Sequence, residues 1–150
     1  MSLNRRTLLK TAGAAAAVLA SPPFVHARPA PLKLGVMLPM SGIGAEAGAA
    51  WLAGIRAAQS QWNEAGGVIG REIEVVVRDD KFNSAGAVAA ARELAGAGIN
   101  LIVGGAQSPM ALAVAPIMPA LKAVLVGPSP TVMSLTHESF NRYFFRAASN

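Results

Sequence analysis

The segment from Asn63 to Asp80, NEAGGVIGREIEVVVRDD, constrains the fold of this 150-residue chain more than any other segment. The pair Gly66-Gly67 ends an amphipathic helix, and Gly70 follows in a tight turn. The alternating and β-branched residues from Glu72 to Val77 are typical of a strand, which ends on two acids. A helix, a glycine stop and a strand with a polar end form one unit of a parallel α/β sheet.

The rest of the chain continues this alternation of strands and helices. Five strands are predicted in all: Leu32 to Leu38, Glu72 to Arg78, Ile99 to Val103, Ala123 to Val126 and Tyr143 to Ala147. Three helices are predicted: Glu46 to Ala65, one capped by Asn83-Ser84 that runs to Ala97, and one that begins at Ser108-Pro109 and is kinked or shortened by Pro116 and Pro119. Right-handed crossovers then predict an α/β fold with a doubly wound parallel sheet in the order 2-1-3-4-5.

This topology also predicts where a ligand would bind. The order of the strands reverses between the first and the third strand, and ligands of such sheets bind outside the carboxyl ends of the strands at that point. The loops that meet there are residues 39–46, 104–110 and 127–134.

The first 27 residues have the pattern of an export signal. Arg5-Arg6 precedes a short apolar run, Ala12 to Ala20, and Val25-His26-Ala27 provides a small-residue cleavage site. The paired arginines indicate a twin-arginine signal peptide over residues 1–27, with an ordinary secretory leader or a retained membrane anchor as alternatives. The run is short and rich in alanine for a membrane span. The chain has no cysteine, so a lipoprotein is excluded and the periplasm is the predicted location.

The charge of the chain does not indicate a nucleic-acid partner. The formal net charge is +5, but three of the 13 basic residues, Arg5, Arg6 and Lys10, lie in the leader. From Arg28 onward ten basic residues face eight acidic ones, and no basic stripe interleaved with aromatic residues is present.

The loops after the third and fourth strands carry hydroxyl groups beside glycine or proline. In the loop after the third strand, Gly104-Gly105 allows close approach of a ligand, and Ser108 lies at a helix N-terminus that favours an anion. The alternative is that Ser108 only caps its own helix. After the fourth strand, Pro128 to Thr131 predicts a rigid polar ledge, or alternatively an ordinary turn stiffened by proline.

The acid pair Asp79-Asp80 ends the second strand beside the first loop. Two carboxylates could hold Mg²⁺ or act as acid and base. Because no His, Cys or third acid stands at a matching spacing, we predict instead that the pair caps the loop that follows it. The sequence predicts no metal, no cofactor and no catalytic machinery.

The motif N-x-x-G-G-V-x-G-R, which starts at Asn63, together with the acid pair, resembles the type I periplasmic solute-binding proteins of ABC importers, in the leucine/isoleucine/valine-binding group. The resemblance covers roughly Leu32 to Ala148. It implies that Ser108 holds the α-carboxylate of an amino acid and that Thr131 contacts its α-carboxylate and α-amino groups. The full ligand-binding set that it implies is Ser41, Gly42, Gln107, Ser108, Ser129, Pro130 and Thr131.

The chain departs from the family pattern at three positions. Gly127 stands where the family usually has serine, and Pro130 has no N–H to donate. Ala47 offers no contact for the side chain of the solute, so specificity for branched-chain amino acids is not implied.

The resemblance implies the periplasmic substrate-binding component of an ABC importer, not an enzyme. Such a protein binds an amino acid or a related small carboxylate or amide between two lobes and docks on a permease in the inner membrane. Residues 28–150 would form an incomplete N-terminal lobe of a protein that is a monomer when full length. One lobe alone is not expected to bind tightly, since association costs an estimated ~4–15 kcal/mol and each hydrogen bond to a charged group returns about 1.5–3 kcal/mol.

Two alternatives have the same fold. Gly42-Ile43-Gly44-Ala45-Glu46-Ala47 fits G-x-G-x-x-A, the fingerprint of an exported NAD(P)-dependent oxidoreductase. Residues 39–41 lengthen the turn before the first glycine, and the acids at Asp79-Asp80 come too late for the ribose contact, so this alternative is weaker. A ligand-sensing receptor lobe is the other alternative.

Overall fold

The computed structural model describes residues 29–147. The predicted signal peptide, residues 1–27, lies outside the described residues. Over 29–147, the longest and most apolar helices still fall short of what a membrane crossing requires.

Five strands form a single parallel sheet. They are β1 (Leu32–Leu38), β2 (Ile73–Asp79), β3 (Leu101–Val103), β4 (Val124–Gly127) and β5 (Phe144–Arg146). Their order is β2-β1-β3-β4-β5, so the predicted order is confirmed. The carboxyl ends of all five strands therefore lie along one edge of the sheet.

The helices follow the predicted order with small shifts at their ends. They are α1 (Ala45–Glu64), α2 (Ser84–Gly96), α3 (Ser108–Val114) and α4 (Met118–Leu121). Short 3-10 turns precede α1 at Gly42–Gly44, separate α3 from α4 at Ala115–Ile117, and follow the loop after β4 at Met133–Thr136. The break that separates α3 from α4 confirms the effect predicted for Pro116 and Pro119.

The third strand was predicted two residues too long. The amide of Ile99 donates to the carbonyl of Leu94, at the end of α2, so this residue still belongs to the helix stop. The strand begins at Leu101. Such end effects escape hydrophobic patterning, because Ile99 is as apolar as the strand that follows it.

The core lies on the face of the sheet that α2 and α3 cover. Its largest fully buried side chains include Met37, Leu94, Ile102, Met118 and Leu125. On the opposite face, α1 contacts β1 and β2, while Leu101 and Phe145 are 41% and 55% exposed.

The helix α1 buries fewer of its apolar residues than the predicted amphipathic pattern suggests. Gly48 is the buried residue of this helix, and Trp51 and Trp62 are 37% and 56% exposed. The polar residues Gln59 and Asn63 of this amphipathic helix face the sheet. Both side-chain amides donate to the carbonyl of Ile73, at 2.8 and 3.0 Å, and Asn63 accepts from its N–H at 2.7 Å. Because β2 is an edge strand with unpaired backbone groups on its outer side, these polar side chains complete its hydrogen bonding.

Candidate functional site at the carboxyl edge of the sheet

The register of the sheet brings the loops after β3 and β4 side by side. Val103, the last residue of β3, pairs with Val126 of β4, so the two strands end within one residue of each other. The amide of Gly104 then donates to the carbonyl of Val126 at 3.1 Å. Residues 104–107 and 128–132 therefore begin next to each other, as the topology predicted.

Ser108 joins these two loops. Its Oγ accepts hydrogen bonds from the backbone amides of Thr131 at 3.2 Å and Val132 at 3.4 Å. The N-cap of α3 is Gln107, which makes no side-chain cap bond, and Ser108 is the first residue of the helix. The interpretation of Ser108 as the cap of its own helix is therefore wrong.

These two hydrogen bonds leave the proton of the Ser108 hydroxyl free. A serine hydroxyl offers one proton and two lone pairs. Two amides occupy the acceptor side, so the proton of Ser108 is left to donate. No acceptor for it is found among residues 29–147, and the side chain is half-buried.

Ser129 and Pro130 shape the loop after β4. The hydroxyl of Ser129 donates to the carbonyl of Ala106 at 3.3 Å, which makes a second bond between the loops. Pro130 is fully buried. A Cβ on Gly127 would lie 2.7 Å from the Cγ of Pro130. The departures from the family pattern at Gly127 and Pro130 are thus linked, because the missing side chain at position 127 makes room for the proline ring.

Thr131 and Gln107 are exposed at the mouth of these loops. In the described part of the chain neither side chain has a hydrogen-bond partner, so both remain available to a ligand. Together with Ser108 and Ser129, they place four polar side chains on two neighbouring loops, while Pro130 is buried.

The sequence did not indicate Arg146, which also contacts this surface. Arg146 ends β5 and pairs in register with Gly127, the last residue of β4. Its Nη1 donates to the carbonyls of Thr131 and Val132, both at 3.4 Å. The signal that could have revealed it is its place at the carboxyl end of a strand next to β4.

Ser41 and Gly42, the remaining predicted residues, lie on the β2 side of the edge. Leu38 of β1 pairs with Asp79 of β2, and the hydroxyl of Ser41 donates to Oδ2 of Asp79 at 2.5 Å. Gly42 is exposed and has a φ of +68°. Within residues 29–147 no hydrogen bond joins Ser41 or Gly42 to the loops after β3 and β4.

The acid pair acts as the predicted cap. Oδ1 of Asp79 accepts from the amides of Met40 and Lys81, both at 2.9 Å. Oδ1 of Asp80 accepts from the amide of Phe82, also at 2.9 Å. Asp79 therefore holds the loop after β1 as well as the loop after β2.

The two acids have opposite pKa shifts. The hydrogen bond from Ser41, followed by that from the Lys81 amide, lowers the pKa of Asp79 below its ordinary 3.8. Burial raises the pKa of Asp80, which is 1% exposed, above the same value. Among residues 29–147 no group of three or more His, Cys, Asp or Glu side chains comes together to hold a metal ion.

Replacing Asp79 with asparagine is expected to destabilise the protein most at neutral pH. A carboxylate whose pKa is lower in the folded protein than in the unfolded chain stabilises the fold at pH values above its unfolded-state pKa. This stabilisation is lost as the pH falls through its folded-state pKa. The difference in free energy of unfolding between wild type and Asp79→Asn should therefore shrink between neutral pH and about pH 3. Urea unfolding at both pH values measures it.

Asp80→Asn is the matched control, with the opposite sign. The raised pKa of Asp80 means that wild type gains stability relative to this variant as the pH falls, while the asparagine can still accept from Phe82. Parallel pH trends for the two variants would contradict the assignment of both carboxylates.

The glycines of the dinucleotide fingerprint have another explanation in the structure. Gly42–Gly44 is a 3-10 turn, and Ile43 is 96% exposed. A Cβ on Gly44 would lie 2.7 Å from the Cβ of Pro39 and 3.0 Å from the ring of Phe82. Packing against these side chains, and not approach of a pyrophosphate, accounts for glycine at position 44.

Comparison with known proteins identifies the family. A model of the family described as periplasmic binding protein matches residues 31–150. The chain belongs to this family. Its members are periplasmic substrate-binding proteins and not an enzyme family, and the sheet order found here is that of one lobe of their type I fold.

Individual relatives include proteins named for the binding of leucine, isoleucine and valine. It is 29% identical to the Leu/Ile/Val-binding protein BraC3 of Rhizobium johnstonii, over 80% of this chain and 32% of that protein. The structure of LivJ from Streptococcus pneumoniae in complex with isoleucine matches with 30% identity and a TM-score of 0.71, over 78% of this chain and 33% of that one.

A further relative of known structure has a different kind of molecule bound. The solute-binding protein of an ABC transporter from Rhodopseudomonas palustris, in complex with 3,4-dihydroxybenzoic acid, is 27% identical with a TM-score of 0.67, over 77% of this chain and 31% of that one. The chain spans about a third of the length of the relatives that it matches.

Proposed function

We propose that this chain provides the first lobe of the substrate-binding component of an ABC importer. The full-length protein binds an amino acid, or a related small carboxylate or amide, between two lobes and delivers it to a permease in the inner membrane. The observation that carries the proposal is the hydroxyl of Ser108, whose acceptor side is filled by two backbone amides and whose proton is free.

The polarity of this hydroxyl favours an acceptor group on the solute. A carboxylate accepts such a hydrogen bond with charge assistance, and an amide carbonyl accepts it more weakly. The exposed side chains of Thr131 and Gln107 supply further donors at the same place. The exposed hydroxyl of Thr131 and the half-buried hydroxyl of Ser108 suit the polar head group of a small solute.

The ligands of the solved relatives agree with this chemistry. One relative binds isoleucine and another binds 3,4-dihydroxybenzoic acid. The two molecules differ in size and shape, and a carboxylate is the charged group that they share. A first lobe that recognises the carboxylate would serve both classes, and the rest of the protein would select between them.

Residues 28–150 are, in this proposal, an incomplete lobe, and the leader directs the protein through the twin-arginine pathway. The paired arginines Arg5-Arg6 support export by this route. In this proposal the full-length protein is a monomer and not a lipoprotein. No cofactor and no metal take part in binding.

Calorimetry on the full-length protein tests the proposal. A panel of amino acids, aromatic acids and amides should contain a solute that binds with micromolar affinity, which corresponds to about 8 kcal/mol. The matched amine without the acid group, for example 3-methylbutylamine for leucine, should not bind. Residues 29–150 alone should bind none of the panel. Equal affinity for an acid and for its matched amine would contradict recognition through Ser108.

A further inference from the structure

The dipeptide Thr131-Val132 is held from two sides. Both of its amides donate to Oγ of Ser108, and both of its carbonyls accept from Nη1 of Arg146. Arg146 is 14 and 15 residues away along the chain, so this contact exists only in the folded sheet. The register that pairs Gly127 with Arg146 places the guanidinium directly beside the loop after β4.

The charge of this guanidinium is not neutralised by a neighbouring carboxylate. Within residues 29–147, no carboxylate lies within 4.0 Å of Arg146, and the described ion pair joins Arg78 to Glu93 instead. The two carbonyls that Arg146 contacts are neutral. Arg146 is half-buried, and its guanidinium lies beside the loop that carries Thr131.

We propose that Arg146 is a positioning residue for the carboxylate of the solute, an inference that rests on the proposed function of this site. Its guanidinium fixes the two carbonyls, which keeps both amides directed at Ser108. With its acceptor side filled, Ser108 presents its proton to the solute. The uncompensated charge adds attraction for an anion.

Both bonds to the loop come from one guanidinium nitrogen, Nη1, which carries two N–H groups. A lysine ammonium can also donate twice, but its flexible side chain loses more conformational freedom for each hydrogen bond than the pre-organised guanidinium does. Arg146→Lys keeps the charge without the planar group, and Arg146→Met removes both.

Two measurements on the full-length protein test the inference. The first is the affinity for the acid of the panel that binds best, for example leucine, and for its amide, for example leucinamide, in which a neutral amide replaces the carboxylate. Arg146→Met should weaken binding of the acid about 10-fold or more and binding of the amide less than about 3-fold, since a hydrogen-bonded charged group contributes more than a neutral one. Arg146→Lys should recover only part of the loss for the acid.

The matched control is Arg142→Met. Arg142 is exposed, lies 5.3 Å over the ring of Tyr143, and makes no hydrogen bond to the loops of the site. Its loss should leave both affinities within about 2-fold, a change of under 0.5 kcal/mol. Equal weakening of acid and amide binding by Arg146→Met would indicate a merely structural role and would overturn the inference.

The second measurement needs no ligand. Hydrogen exchange at the amides of Thr131 and Val132 should accelerate in Arg146→Met, while the amide of Phe82, which donates to Asp80, should keep its rate. Unchanged exchange at Thr131 and Val132 would overturn the positioning role even if wild type binds the acid. If wild type binds no member of the panel, the proposed function fails, and the inference fails with it.

Discussion

Replacing Ser108 with alanine is expected to weaken solute binding by the full-length protein by roughly 10- to 150-fold. A hydrogen bond to a charged group contributes about 1.5–3 kcal/mol, which corresponds to this range. The substitution also leaves the amides of Thr131 and Val132 without their acceptor. Calorimetric titration with the best acid of the panel measures the change.

Ser84→Ala is the matched control for this prediction. The hydroxyl of Ser84 donates to the carbonyl of Pro109 at 3.1 Å, so it too joins neighbouring elements at the carboxyl edge. Its proton is therefore already used within the protein. Affinity should change less than about 2-fold, that is by under 0.5 kcal/mol. If Ser84→Ala loses as much affinity as Ser108→Ala, both losses come from loosening of the carboxyl edge of the sheet and not from a missing hydrogen bond to the solute.

The sequence predicts the fold well because the fold depends on local patterns. Alternating strands and helices, with the glycine stop at Gly66-Gly67, are enough to give the sheet order and the three loops at the switch point. The place of Ser108 and Thr131 on neighbouring loops follows from this order alone.

The chemistry of the site depends instead on contacts between distant residues. The amides that fill the acceptor side of Ser108 lie 23 and 24 residues away, and the carboxylate that binds Ser41 lies 38 residues away. No spacing in the sequence reports which hydroxyl keeps a free proton. For the same reason, the sequence identifies Arg146 only as part of a short strand.

Helix α1 shows a further limit of hydrophobic patterning. Its alanines and tryptophans recur at helical spacing, but its main contacts with the sheet are to β1 and β2, and Trp51 and Trp62 remain partly exposed. The polar Gln59 and Asn63 face the sheet because the edge strand β2 has backbone groups to satisfy. A periodicity of 3.6 identifies a helix, but burial depends on what lies opposite it.

Two glycines of α1 that are alike in the sequence are expected to respond to alanine in opposite directions. A Cβ on Gly48 would lie 2.0 Å from the carbonyl oxygen of Pro39, and a Cβ on Gly54 would meet nothing within 4 Å. Gly48→Ala should lower the free energy of unfolding by about 1–3 kcal/mol, the usual cost of overpacking. Gly54→Ala should raise it by up to about 1 kcal/mol through helix propensity.

The opposite signs follow from one contact. The backbone of α1 rests on Pro39, which is fully buried, so alanine at position 48 must push the helix or the loop after β1 out of place. That loop carries Ser41, whose bond to Asp79 should loosen as well. Urea unfolding of both variants of the full-length protein, followed by circular dichroism, measures the two shifts. If both variants shift the same way, α1 does not pack against Pro39 as closely as the structure has it.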